Sequence, residues 1–232
     1  MLEIVRSDDR HTVNAGWLKA RWHFSFDHYY DPQQVQFGPL RVFNNDVVQP
    51  AKGFPMHPHA NMEILTYVID GALEHRDSTG GHGIIHTGEV QRMSAGKGIV
   101  HSEFNASPDT TVELVQIWIL PEKQDVQPSY EQKQFSAEDR TGRLLPIATP
   151  DAASRTVFVG QDVTMYVSRL EAGSKVSHDL KPERRAYVFV IEGDVQLNGE
   201  TLSRGDSVKV ENVGALKFDA PSTAELLLLD LP

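Results

Sequence analysis

A chain of 232 residues is long enough for one large domain or two small ones, and it can bury enough surface to stand without disulfides or a structural metal. It has no cysteine, which excludes thiol catalysis and thiolate ligands, and its 40% hydrophobic and 23% charged residues are those of an ordinary globular protein. A net charge of −10 argues against direct nucleic-acid binding, which needs a basic surface to neutralise phosphates, and no apolar run approaches the roughly 18 residues of a membrane span.

Met1-Leu-Glu-Ile-Val-Arg6 has no basic region followed by an apolar one, so no secretory leader is read there and the expected location is the cytoplasm. Helical periodicity is nearly absent. Short runs rich in Val, Ile, Leu, Thr and aromatics recur between Gly, Asp, Asn and Pro, the pattern of an all-β sandwich or barrel. The first set of expected strands is Gln36–Phe43, Met62–Ile69, Ala72–Arg76, Val90–Met93 and Val112–Ile119. Pro121–Ala152 is polar and carries four prolines, as a linker does, with one short helix expected around Ala137–Arg140. A second set follows: Thr156–Phe158, Thr164–Ser168, Ala186–Ile191, Val195–Leu197, Ser207–Val210, Ala215–Phe218 and Glu225–Leu229.

The two sets echo each other. Tyr67-Val-Ile-Asp-Gly71-Ala-Leu-Glu and Val190-Ile-Glu-Gly193-Asp-Val are each a strand, a Gly turn and a strand; Gly88-Glu-Val and Gly205-Asp-Ser-Val follow them. This weak repeat predicts a duplicated barrel. The expected division is 1–120, 121–152 as linker and surface segment, and 153–232.

The chemistry concentrates in two short clusters, His57-Pro58-His59 and His101-Ser102-Glu103. In a strand, residues two apart share a face. Each pair therefore projects together, and neighbouring strands would bring four ligand groups into one barrel. Three imidazoles and a carboxylate suit Fe(II), Mn(II), Ni(II), Co(II), Cu(II) or Zn(II), and ligand softness alone does not choose among them. A single His-x-His is a weak signal; two pairs at strand spacing, each beside Gly or Pro turns, are much harder to dismiss.

Gly53, His57, His59, Glu63 and Gly71, with Gly98-Ile-Val-His101-Ser-Glu-Phe-Asn105, resemble the two motifs of the cupin superfamily. Met93-Ser-Ala-Gly-Lys-Gly-Ile-Val-His-Ser-Glu103, His57-Pro-His59 and Gln116-Ile-Trp118-Ile resemble the signatures of pirins more narrowly. The aromatic stretch Trp22–Pro32 resembles their bacterial YhhW-type branch, described as quercetinases. The resemblance implies two tandem cupin (jelly-roll) barrels. It also implies one metal, usually iron, held in the first barrel by His57, His59, His101 and Glu103, with Glu103 taking the place that Glu63 holds in many other cupins. The second barrel, whose only histidine is His178, is expected to be metal-free. The implied activity is quercetin 2,3-dioxygenase chemistry on a small aromatic substrate with O2, Glu103 accepting the substrate's proton. The alternatives are a metal- or redox-sensing regulator acting through a protein partner, and a cupin isomerase or hydrolase using Zn(II) or Mn(II).

The remaining candidates carry blander expectations. His75, His82 and His86, around Gly80-Gly81, are expected as exposed hairpin histidines, with a second metal site there as the alternative. His11, His23 and His28 lie in the N-terminal region; His23 and His28 are expected to pack among aromatics, with a place at a pocket mouth as the alternative. Gln116 is a candidate partner for a ligand imidazole. Asn105 is expected to anchor the loop after the ligands, and Gly96 and Gly98 to serve the backbone. Lys181, Arg184 and Arg185 read as solvated surface.

Overall fold

The computed structural model describes residues 1–152 and 155–232. In chain order the strands are β1 (Leu2–Val5), β2 (His11–Asn14), β3 (Leu18–Trp22), β4 (Leu40–Val48), β5 (Gly53–His59), β6 (Glu63–Asp70), β7 (Ala72–Asp77), β8 (His82–His86), β9 (Glu89–Ser94), β10 (Ile99–Asn105), β11 (Val112–Ile119) and β12 (Ser129–Gln134). The helix α1 (Ala137–Arg140) comes next. Then follow β13 (Leu145–Thr149), β14 (Val157–Phe158), β15 (Thr164–Leu170), β16 (Lys175–Asp179), β17 (Arg185–Glu192), β18 (Asp194–Leu197), β19 (Glu200–Ser203), β20 (Ser207–Glu211), β21 (Ala215–Asp219) and β22 (Ala224–Leu231). No helix is long and apolar enough to cross a membrane, among the described residues.

The chain folds into two compact units. In the first, His11–Gln134 with Asp151–Gln161, one antiparallel sheet runs β12-β9-β6-β11-β4-β3-β2 and a smaller one runs β5-β10-β7-β8. Leu18, Trp22, Val68, Leu73, Ile85 and Leu114 pack in its core. The other unit, Met1–Arg10 with Phe135–Pro150 and Asp162–Pro232, has a sheet ordered β1-β20-β17-β22-β15-β13 and a smaller one ordered β16-β21-β18-β19. Val188, Val195, Leu216, Phe218, Leu226 and Leu228 fill its core. Each unit is a cupin barrel, so the fold is all-β with two cupin domains. The repeat seen in the sequence marks corresponding turns. Gly71 leads from β6 to β7 at φ 84° and Gly193 from β17 to β18 at φ 71°. In each a Cβ would strike a carbonyl oxygen, of Thr111 at 2.7 Å and of Thr223 at 2.2 Å.

Packing divides the chain differently from composition. The first ten residues belong with the C-terminal unit: β1 pairs with β20, Leu2 opposite Val210. A partner more than 200 positions away leaves no local signal. The segment read as a linker contributes β12, which pairs with β9, and β13, which pairs with β15. β12 is a half-exposed edge strand, Ser-Tyr-Glu-Gln-Lys-Gln, and polar edges disguise strands. The expected helix spans Ala137–Arg140 and starts with a capping box between Ser136 and Asp139. The expected start of the second barrel at residue 153 lies outside the described residues. The strand expected at Gln36–Phe43 runs instead from Leu40 to Val48. Gly38-Pro39 delays its start, and the polar triplet Asn44-Asn45-Asp46 hid its continuation.

Candidate metal centre

β5 and β10 pair antiparallel with His101 opposite His57 and Ile99 opposite His59. β5 is the edge of its sheet, where Pro55 and Pro58 can be accommodated without an N–H to give. The register shifts between His101 and Glu103. One ring nitrogen from each of His57, His59 and His101 lies within 4.8 Å of the others. The Nε2 atoms of His57 and His101 are 3.0 Å apart. Two nitrogens bound at right angles to one ion at about 2.1 Å would stand about 3 Å apart, so this spacing fits a shared cation.

The protonation of these rings fits as well. His57 Nδ1 donates to the Pro55 carbonyl at 2.8 Å, so Nε2 is the ring nitrogen that faces His101. His59 Nε2 is buried without a hydrogen-bond partner. Burial, then the neighbouring His101 and His57, lower the His59 pKa to about 4 against the opposing charge of Glu103. Burial, then His57 and His75, lower His101 to about 3 despite Asp77. Both rings are therefore neutral near pH 7, the form that binds metals.

Glu103 is buried on β10. Gln91 on β9 donates to its Oε1, and Gln116 on β11 donates to its Oε2 at 2.6 Å. Thr66 on β6 donates to Gln116 Oε1 at 2.6 Å and fixes that amide's orientation. Gln116 thus holds the carboxylate rather than an imidazole, because it points into the barrel from the sheet opposite Glu103. Glu103 also forms a second group of three with His101 and His75, the ligand atoms again within 4.8 Å of one another. Glu63 stands outside both groups. It is buried, accepts from Ser94 Oγ and the Gly160 N–H, and has its pKa raised chiefly by burial.

His82 and His86 are exposed hairpin residues, but His75 is not: it is fully buried. Along β7, Leu73, His75 and Asp77 alternate inward while Glu74 and Arg76 face outward. His75 follows Leu73 into the core, and that period-two signal was present in the sequence. His23 is buried beside Phe43, and His11 stacks on Tyr29 at 4.2 Å. Asn105 donates to the Val48 and Thr110 carbonyls and accepts from the Ser107 N–H, anchoring the turn after β10. Gly96 has φ 46°, and a Cβ there would lie 2.0 Å from the Val126 carbonyl oxygen. In the C-terminal unit His178 donates to Asp230 at 2.7 Å. Arg184 pairs with Asp162 and Asp230 and Arg185 with Glu211, so both arginines of the basic cluster are paired.

A cleft of about 820 Å³ opens onto His57, His59 and Glu103. Trp17, Trp22, Phe26, Phe54 and Trp118 make its walls largely aromatic, and His28 lines it too. The Trp118 ring centroid is 4.8 Å from that of His59. Among the polar lining residues without a sequence-based expectation are Asn44 and Asp46 on β4. Asp46 is buried, and burial followed by the charge of Glu103 pushes its pKa up to about 7. The available signal was a polar triplet in the middle of an apolar strand.

A pair of antiparallel barrels, one with an inward-facing cluster of histidines at an aromatic cleft, defines the class as a two-domain cupin. The pirin profile matches residues 5–119, and a profile described as the quercetinase C-terminal cupin domain matches residues 146–231. A protein of Escherichia coli K12 named quercetin 2,3-dioxygenase is 42% identical over 233 residues, covering 100% of this chain and 99% of that protein. A Caulobacter vibrioides pirin-like protein is 40% identical, covering 94% of each chain. The crystal structure of the Escherichia coli pirin YhhW in complex with nickel(II) superposes with a TM-score of 0.95 at 39% identity, covering 100% of this chain and 99% of that one. The chain belongs to the pirin family.

Proposed function

We propose that this protein is a metal-dependent dioxygenase that cleaves a flavonol such as quercetin with O2. The observation that carries this reading is the convergence of three imidazoles beside a buried carboxylate, with His57, His59 and Glu103 lining an aromatic cleft. The names of the relatives and the nickel complex of YhhW support it. His57, His59, His101 and Glu103 would hold one divalent transition-metal ion, Fe(II) being the choice that the pirin likeness favours. When bound, such an ion supplies Lewis-acid activation of a substrate hydroxyl and electronic contact with O2.

The chain's own residues account for the rest. Trp22, Phe26, Phe54 and Trp118 offer flat apolar surface to a planar polyphenol and exclude water from it. Glu103 takes the proton of the flavonol 3-hydroxyl, with Gln91 and Gln116 orienting its two oxygens. The electron-rich enolate left behind is the form that reacts with O2. Ring opening consumes one O2 and releases carbon monoxide and a carboxylated ester, and Glu103 returns its proton to that product. Metallated protein mixed with quercetin should bleach the flavonol absorbance in air and leave it unchanged without oxygen. Equal rates in both conditions, or no bleaching in either, would contradict the proposal.

A further inference from the structure

Behind His101 lies a line of buried groups that this chemistry does not use. His101 Nδ1 is 3.4 Å from His75 Nδ1, and His75 Nε2 is 2.9 Å from Asp77 Oδ2. The side chains of His75 and Asp77 are both 0% exposed. Tyr130 stacks on the His75 ring, centroids 4.4 Å apart and planes 17° apart, so the ring is fixed. The other carboxylate oxygen, Asp77 Oδ1, accepts from Thr79 N at 2.8 Å, Thr79 Oγ1 at 2.6 Å and Gly81 N at 3.0 Å.

A count of protons along this line fixes each ring. A carboxylate only accepts, so His75 Nε2 carries the proton shared with Asp77. Given a single N–H on the His75 ring, Nδ1 is left as an acceptor. His101 Nδ1 must then be the donor, and His101 Nε2 is left as a lone pair. That is the atom 3.0 Å from His57 Nε2.

We infer that Asp77 and His75 form a positioning dyad that locks His101 in the Nδ1–H tautomer and so keeps its Nε2 free for the metal. The inference rests on the proposed role of His101 as a ligand. It also explains why His75, although grouped with His101 and Glu103, stands behind the coordination set: both of its nitrogens are already engaged. Partners of this kind orient ligand histidines and raise their basicity.

The substitution Asp77→Asn tests the dyad without emptying the site. The turn donors all use Oδ1, so the new amide keeps its oxygen there and presents its NH2 to His75 Nε2. The His75 proton then moves to Nδ1, the His101 proton moves to Nε2, and the ligand lone pair is covered. In a chelator-competition titration with Ni(II) as probe, D77N should bind about 10- to 100-fold more weakly than wild type. His75→Phe should behave likewise, and His75→Asn, whose carbonyl can accept near the old Nδ1 position, should recover part of the loss. In ring-nitrogen NMR of the metal-free wild type, His101 should be protonated at Nδ1 and bare at Nε2. A folded D77N with wild-type affinity, or His101 protonated at Nε2, overturns the inference; should D77N not fold, the wild-type spectrum decides alone. His101→Ala separates the two readings. If it binds Ni(II) as wild type does, the proposed metal site itself has failed; if it loses Ni(II) while D77N does not, only the dyad has.

Discussion

Glu103 is the residue on which ligand and proton chemistry meet. It receives an N–H on each oxygen, from Gln91 and from Gln116. A glutamine there would turn its own NH2 toward one of those donors and would also lose the negative charge. Glu103→Gln is therefore expected to lower the rate of O2-dependent quercetin loss by about 10²- to 10⁴-fold. A thermal melt alongside separates this from unfolding, and a rate within a factor of a few of wild type would remove Glu103 from the proposed chemistry. At this scale the sequence was informative wherever function follows strand period. His57, His59, His101 and Glu103 stand two apart in pairs, and the structure brings the three imidazoles together. It was silent where a role depends on what lies across the barrel. Nothing local to Asp46 indicates that it faces a cleft, nor that Gln116 reaches Glu103 from the opposite sheet.

Among elements, the pairing of β5 with β10 matters most, since it sets His57 opposite His101. Gly53 starts β5 against the backbone of its partner. A Cβ there would lie 2.2 Å from the Glu103 carbonyl oxygen and 2.5 Å from Phe104 Cα. Backbone cannot swing aside as a flexible side chain can. Gly53→Ala should force the strands apart, cost about 1–3 kcal/mol in a denaturant melt, and weaken Ni(II) binding through the displaced imidazoles. Unchanged affinity would show that the ligands do not depend on this register. Apolar strands were legible in the sequence. β11 runs from Val112 to Ile119 as expected, whereas β12 and β1 depend on distant partners and were not recognised.

For the molecule as a whole, the first ten residues complete the C-terminal unit. Arg6 pairs with Asp206 at 2.7 Å, and the Ser7 N–H bonds the same carboxylate at 2.9 Å. Burial alone would raise the Asp206 pKa, but the Ser203 N–H, the Arg6 guanidinium and the Ser7 N–H together hold it below the ordinary carboxylate value. A depressed folded pKa gives stability that is present above the unfolded value, about 4, and is lost as pH falls through the folded one. Asp206→Asn should therefore destabilise the protein at neutral pH by about 1–3 kcal/mol. Its deficit relative to wild type should shrink below about pH 4. A deficit that stays constant with pH would contradict this assignment. Composition and the repeat made the two-barrel fold legible, but the crossing of the N-terminus into the second unit was not.

The proposed chemistry requires a single metal held by His57, His59, His101 and Glu103. The most direct test is elemental analysis of wild-type protein and the His59→Ala variant, both purified without a chelating tag. One transition-metal ion per wild-type chain is expected, with little or none in the variant; equal metal in the two would show that these residues do not hold it.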